Sequence, residues 1–406
     1  MTEQSLGPFP SPKTPNDYQP IVKKLKEIID GSNWNDKFEQ AVYDAQKTGV
    51  EDMRNIGSLT DFYNFLNYLV LWVPKEDETG TFVYNMLCTM YFILDQKSVK
   101  DFQSPIKPTS YPPPPLTALS EWLVDFSNAM GQFLNTSKSL TEESLETFRT
   151  AENYNVDSYV VPQGGWLGHT FNEFFARKFL PGTRPIDGPS NPAIIVSAAD
   201  STFDGSWDIN TDSIVHLKGL PWTIGELLAD SKYANDFAGG KFMHAFLAPY
   251  DYHRQHAPVD GKVLEAKVIP GQAYLEVKVK KHSNGKHRLI PTRALDAPDS
   301  PGYQFCQARG LIVIDSPKVG KVAVLPIGMA QVSSVVLSVK GEEIGKDGKV
   351  VVEGDEVKKG DEISYFQFGG SDIVLLFQAQ SKVKILADIN KHYRVGEQIA
   401  IAHIAE

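Results

Sequence analysis

Apolar residues in the first third of the chain recur at helical spacing. Ile21, Leu25, Ile28 and Ile29 fall on one face of 19–30, and Gly31 follows as a stop. The same spacing predicts helices over 34–45, 59–73, 82–94 and 116–134. Ser139-Leu-Thr-Glu-Glu-Ser opens a further helix with a capping-type pattern. Between these helices, 105–115 carries four consecutive prolines after Tyr111 and is a stiff linker.

From Phe171 the pattern changes. Residues 171–179 form an amphipathic helix ended by Pro181 and Gly182. Beyond Ile194, short apolar runs are broken by Gly, Pro and Asp. They predict strands over 194–198, 262–269, 311–314, 322–326, 332–339, 363–368, 373–379 and 383–386, with one helix over 222–228. The expected fold class is α+β. Residues 1–20 would be a disordered or extended arm, 21–155 a helical accessory domain, and 156–406 a β-rich, mainly antiparallel domain.

Composition changes this picture little. With 406 residues, 42% hydrophobic and 22% charged, the chain has material for one large or two smaller soluble cores. A formal charge of −10 leaves no basic stripe for nucleic acid. Two cysteines, Cys88 and Cys306, supply neither a disulfide framework nor a zinc site and suit a reducing compartment. Residues 1–20 lack the apolar centre of a signal peptide. The uncharged run 322–339 contains Pro326, Gly328, Gln331 and three serines, which reads as strand-turn-strand rather than a membrane helix. A cytoplasmic protein with no integral membrane segment is expected.

Three clusters carry candidate chemistry. Asp200 follows an apolar strand in Ser197-Ala-Ala-Asp. His253 and His256 lie in Tyr250-Asp-Tyr-His-Arg-Gln-His-Ala-Pro258, and Ser371 follows two glycines in Phe368-Gly-Gly-Ser-Asp372. An acid, an imidazole and a hydroxyl distant in sequence can converge as a nucleophilic triad. Each also has a plainer reading: Asp200 pinning a turn, the histidines satisfied in a core, and Gly369-Gly370 making a tight hairpin. A metal site is not expected, because no further His/Cys cluster at ligand spacing accompanies the histidine pair.

Taken in order, these clusters resemble the phosphatidylserine decarboxylase family over about 171–386. Matching stretches include Phe174-Phe-Ala-Arg-Lys-Phe179, Arg184-Pro185, Asp251-Tyr-His-Arg-Gln-His-Ala-Pro258, Val268-Ile-Pro-Gly271 and Pro326-Ile-Gly328. The resemblance implies a precursor in which Ser371 Oγ attacks the Gly370 carbonyl, with His256 as base and Asp200 as its orienter. Scission between Gly370 and Ser371 would give a large and a small chain. Position 371 would be left as a covalently bound pyruvoyl group, with no external cofactor. That group would form a Schiff base with a substrate amine, and His253 would be the proton donor in decarboxylation. One residue departs from the pattern: Asp372 stands where membrane-type family members usually have threonine after the serine. Its carboxylate would either disfavour the oxyanion of self-cleavage or act as a second acid.

The helical extension and Gly165-Trp-Leu167 resemble a soluble subgroup that includes an L-tryptophan decarboxylase. This resemblance implies a free, aromatic L-amino acid as substrate. Phosphatidylserine reached by peripheral membrane binding is the alternative within the family. A ligand-binding module, or a serine hydrolase with Ser371 intact, is the alternative outside it, though the Gly-x-Ser-x-Gly elbow is missing.

Overall fold

The computed structural model describes residues 9–14, 17–217, 219–281, 287–291, 302–329, 335–338, 351–368 and 370–403. Helices dominate the first part, and their starts follow from the capping residues. α1 (Pro20–Gly31) begins on a proline and buries Val22, Leu25 and Ile29. α2 (Asn35–Lys47) and α3 (Leu59–Leu69) follow, the latter capped by the Ser58 side chain. α4 (Phe82–Leu94) is apolar nearly all round and runs through the centre. α5 (Ala118–Leu134) is capped by Thr117, and α6 (Glu142–Thr150) starts with a Thr141/Ser144 capping box. None of the described helices is long and apolar enough to cross a membrane.

The predicted 171–179 helix is shorter in the structure. α7 spans Phe171–Phe175, and α8 (Ile224–Leu227) shortens the predicted 222–228. The α7 stop has a visible cause. Phe179 leaves the helix to form a bridge with Tyr159, with the two rings stacked 4.4 Å apart and the Arg177 guanidinium over Tyr159.

The strands in chain order begin with β1 (Ile194–Val196), β2 (Ser201–Asp208), β3 (Ile214–Leu217), β4 (Leu220–Thr223), β5 (Lys241–Leu247) and β6 (Arg254–His256). Next come β7 (Gly261–Ile269), β8 (Val277–Lys281), β9 (His287–Pro291), β10 (Arg309–Ser316), β11 (Gly320–Met329) and β12 (Val335–Leu337). The last are β13 (Glu356–Val357), β14 (Glu362–Phe366), β15 (Gly370–Phe377), β16 (Lys384–Ile385), β17 (His392–Tyr393) and β18 (Gln398–Ile401). Apart from 335–338, the predicted strand 332–339 lies outside the described residues.

An antiparallel sheet of eight strands, ordered β13-β7-β10-β11-β15-β5-β2-β17, forms the centre. Two three-stranded sheets, β12-β14-β6 and β1-β18-β16, flank it. The α+β class is as expected. The hairpin reading of 368–372 is not: β14 pairs with β12 and β6, whereas β15 pairs with β11 and β5. β14 and β15 therefore belong to different sheets.

The helices do not stand apart from this sheet. One apolar core runs from α1–α6 into the inner face of the strands. The Asp95 carboxylate, just past α4, accepts the Val277 N–H at 2.7 Å. In the proline-bearing linker, the Thr109 N–H and hydroxyl both donate to Glu226 on α8.

Candidate active site

Ser371 is the second residue of β15 and faces Gly328 on β11 and Leu247 on β5. It is fully buried. Its Oγ lies 3.4 Å from His253 Nδ1. The other ring nitrogen, Nε2, donates to the Pro249 carbonyl at 3.1 Å. A proton fixed on Nε2 leaves the Nδ1 lone pair directed at the serine hydroxyl. Burial pushes the His253 pKa down to about 3, so the ring is neutral across the physiological range.

α7 builds the wall behind this pair. Its Thr170/Glu173 capping box anchors the helix start. Phe175, at its end, stacks on the His253 ring with centroids 3.9 Å apart. Phe368, just ahead of the glycines, packs edge-on against Phe171, Phe175 and Trp72. Its N–H donates to Asn172 Oδ1 at 3.0 Å, and Asn172 Nδ2 donates to Asn135 Oδ1 at 2.9 Å. A side-chain amide on α7 thus ties the approach to Ser371 to the end of α5. Gly369 lies outside the described residues, and Gly370 sits opposite Met329 in the ladder.

Asp200 and His256 are close to each other in the chain path, since the His256 N–H donates to the Ala198 carbonyl at 2.8 Å. Their side chains have other partners. Arg184 grips the Asp200 carboxylate through Nε at 3.0 and 3.2 Å and through Nη2, and the Val395 N–H adds a bond of 2.8 Å. His256 donates from Nδ1 to the Gly360 carbonyl at 2.7 Å, and its Nε2 is 3.3 Å from the Tyr252 hydroxyl. Burial pushes the His256 pKa down. Of the four predicted side chains, His253 and Ser371 meet directly, while the Asp200 and His256 side chains are bonded to other residues rather than to Ser371 or to each other.

Sequence reasoning passed over several neighbours. Phe175 and Asn172 carry no chemical signal, because stacking and backbone tethering are visible only in space. Arg254 pairs with Glu362 in a buried contact and donates to the Ala176 carbonyl at 2.6 Å, which holds the His253–His256 segment against the end of α7. His244 offered a signal: a histidine inside the apolar run Lys241–Leu247. It lies close to Asp372 and Asp204.

The site thus brings a buried hydroxyl next to a neutral imidazole, directly after the Gly370 peptide bond, the pairing of groups used in nucleophilic catalysis. Comparison with known proteins agrees with this chemistry. The family model for phosphatidylserine decarboxylase matches residues 171–401. Phosphatidylserine decarboxylase proenzyme 3 of Schizosaccharomyces pombe is 32% identical over 284 residues, covering 67% of this chain and 26% of that protein. The match therefore spans about a quarter of that longer relative. Decarboxylase iboD of Amanita muscaria is 27% identical over 277 residues, covering 65% of this chain and 76% of that protein. The phosphatidylserine decarboxylase proenzyme of Clostridium perfringens (strain ATCC 13124) is 28% identical over 272 residues, with 67% and 80% covered.

Proposed function

This chain belongs to the phosphatidylserine decarboxylase family, and we propose that it cuts itself between Gly370 and Ser371 and then decarboxylates a free, aromatic L-amino acid to its amine. Processed family enzymes use a covalently bound pyruvoyl group derived from serine, which supplies the electron sink for loss of carbon dioxide. Ser371 fits that origin: it is buried, preceded by glycine and in contact with one imidazole.

In the cut, Ser371 Oγ bonds to the Gly370 carbonyl carbon while the Gly370–Ser371 C–N bond breaks. The hydroxyl proton leaves through an imidazole and reaches the freed nitrogen, giving an ester that still joins the two parts. Loss of the residue-371 α-proton then expels the Gly370 carboxylate and separates the chains, and water hydrolyses the resulting dehydroalanine to the pyruvoyl group with release of ammonia. Contact geometry favours His253 as that imidazole, and the family resemblance assigns the step to His256 with Asp200. Two variants separate these assignments. His253→Ala remaining one chain while His256→Ala splits supports the geometry; the reverse supports the resemblance. In turnover, His253 Nδ1 is the atom placed to move a proton at position 371, and Phe175 keeps water from the ring.

The observation that supports an aromatic amino acid is the aromatic layer beside the His253–Ser371 pair. Phe175 stacks on His253, and Phe368, three residues before Ser371, packs edge-on against Trp72, Phe171 and Phe175, with Trp72 supplied by the helical region. Such walls suit a flat apolar side chain. A second reading, phosphatidylserine itself, is favoured by one surface. Val160, Val161, Leu167 and Leu180 are 40%, 58%, 55% and 44% exposed around the Tyr159–Phe179 bridge, a face on which a bilayer could rest.

Intact-mass spectrometry of the purified protein, followed by amine release from free aromatic amino acids and from phosphatidylserine vesicles, tests both readings. Two fragments meeting at 370/371 and turnover of the free amino acid are expected. A single unmodified chain would overturn the whole proposal, and turnover of vesicles alone would transfer it to the lipid.

A further inference from the structure

Asp372 is the residue that departs from the family pattern, and strand alternation turns it to the face opposite Ser371. It is fully buried, and neither carboxylate oxygen has a hydrogen bond of ordinary geometry. The cation facing it is His244 on the adjacent β5, with Nε2 3.3 Å from Asp372 Oδ2. The other nitrogen of that ring, Nδ1, is 3.0 Å from Asp204 Oδ2 on β2. From the segment before β10, Gln304 Nε2 lies 3.2 Å from His244 Nε2, and the Tyr303 ring stands edge-on at 6.3 Å.

Two carboxylates therefore bracket one fully buried imidazole. A neutral ring would leave both anions without a counter-charge in the sheet, an arrangement that costs far more than pairing recovers. An imidazolium resolves it. Turning the Gln304 amide over then brings its otherwise unpaired Oε1 against the Nε2–H. Burial alone would lower the His244 pKa, but Asp372 and Asp204 outweigh it and raise it to about 10.

We infer that His244 is a positioning residue, a cationic clamp on Asp372 that keeps the peptide unit joining residue 371 to Asp372 in register within the sheet. The nitrogen of that unit belongs to Asp372 and its carbonyl to residue 371. Once the chain is cut, residue 371 begins the small chain, and strand ends without a tether fray. The clamp supplies that tether from the face opposite the reaction, where it occupies no substrate space. The need for a tether rests on the proposed cut; the clamp itself does not.

The test is hydrogen exchange of the β15 amides, followed by mass spectrometry of peptic fragments from the full-length purified protein. The intact masses of the same samples report whether the chain is cut. His244→Gln leaves the buried Asp372 and the part-buried Asp204 without their cation and is expected to speed β15 exchange on the order of 100-fold. The double variant His244→Gln/Asp372→Asn should recover most of that protection. The pH arm has a definite sign. Because the folded-state pKa lies above the unfolded value, the stabilisation is complete below about pH 6.5 and lost as pH rises through about 10. The wild-type urea midpoint should therefore fall across that alkaline range beyond any fall seen in His244→Gln. Wild-type exchange in His244→Gln, or a double variant as open as the single one, would overturn the clamp. If His244→Gln does not fold, Asp372→Asn carries the test: exchange on the order of 10-fold faster is expected, and unchanged exchange overturns it. An uncut wild type would overturn the proposed function and leave the clamp to be judged on exchange alone.

Discussion

Ser371 and Asp372 are neighbours in sequence and opposites in environment. One meets a neutral histidine held near pKa 3 by burial, and the other meets a histidine raised to about 10 by two carboxylates. The first difference sets a pH expectation. Since His253 is unprotonated well below its usual range, self-cleavage by this pair should run at a level rate between pH 5 and 8. Time courses of fragment appearance check this, and a limb with a midpoint about 6.5 would point to an ordinary, solvated histidine instead. Ser371→Ala should remain one chain with no carbonyl to trap, read by intact mass; fragments in that variant would remove Ser371 from the chemistry. The four candidate side chains were legible in the sequence because hydroxyl, imidazole and carboxylate groups announce themselves. Their pairing was not. Gly360 on His256 and Arg184 on Asp200 come from other segments of the chain, and no spacing in the sequence announces either contact.

At the scale of elements, α7 does more than its five residues suggest. It presents Phe175 to His253 and uses Asn172 to fix the backbone before Gly370. Asn172→Ala strands a buried N–H and should cost about 1–3 kcal/mol, with slower fragment formation. Urea unfolding and a cleavage time course measure the two effects, and an unchanged cleavage rate would remove the tether from the mechanism. Helices were readable in two ways: α1 shows one buried face at helical spacing, whereas α4 fills the predicted 82–94 as a nearly unbroken apolar run between polar Thr81 and Asp95. β2 and β5 escaped notice for different reasons. Ser201–Asp208 is polar at its outward positions and has Gly205 at a register shift. Lys241–Leu247 is buried almost throughout, since a central strand is covered on both faces and loses alternation. The plainer hairpin reading of the glycine pair does not hold, because β14 and β15 pair in different sheets, a long-range fact that two glycines cannot announce.

Across the whole molecule, the helical region and the sheet share one core, and a carboxyl group marks their junction. Burial raises the Asp95 pKa to about 7, where it accepts the Val277 N–H at the start of β8. Its folded-state value lies above the unfolded one, so its stabilisation is complete at low pH and lost as pH rises through about 7. The urea midpoint should therefore drop between about pH 4, the unfolded carboxyl value, and about pH 7, and Asp95→Asn should flatten part of that slope. An equal slope in the variant would assign the drop to other groups. The position of β15 has a separate consequence. It lies inside the central sheet, with β11 on one side and β5 on the other. While the chain is whole, inserting that strand is an internal search, indifferent to how much protein is present. Once the proposed cut is made, the same insertion becomes an encounter between two molecules, and dilution works against it. The uncut form can recover from a melting episode on its own; the mature form, at low abundance, cannot.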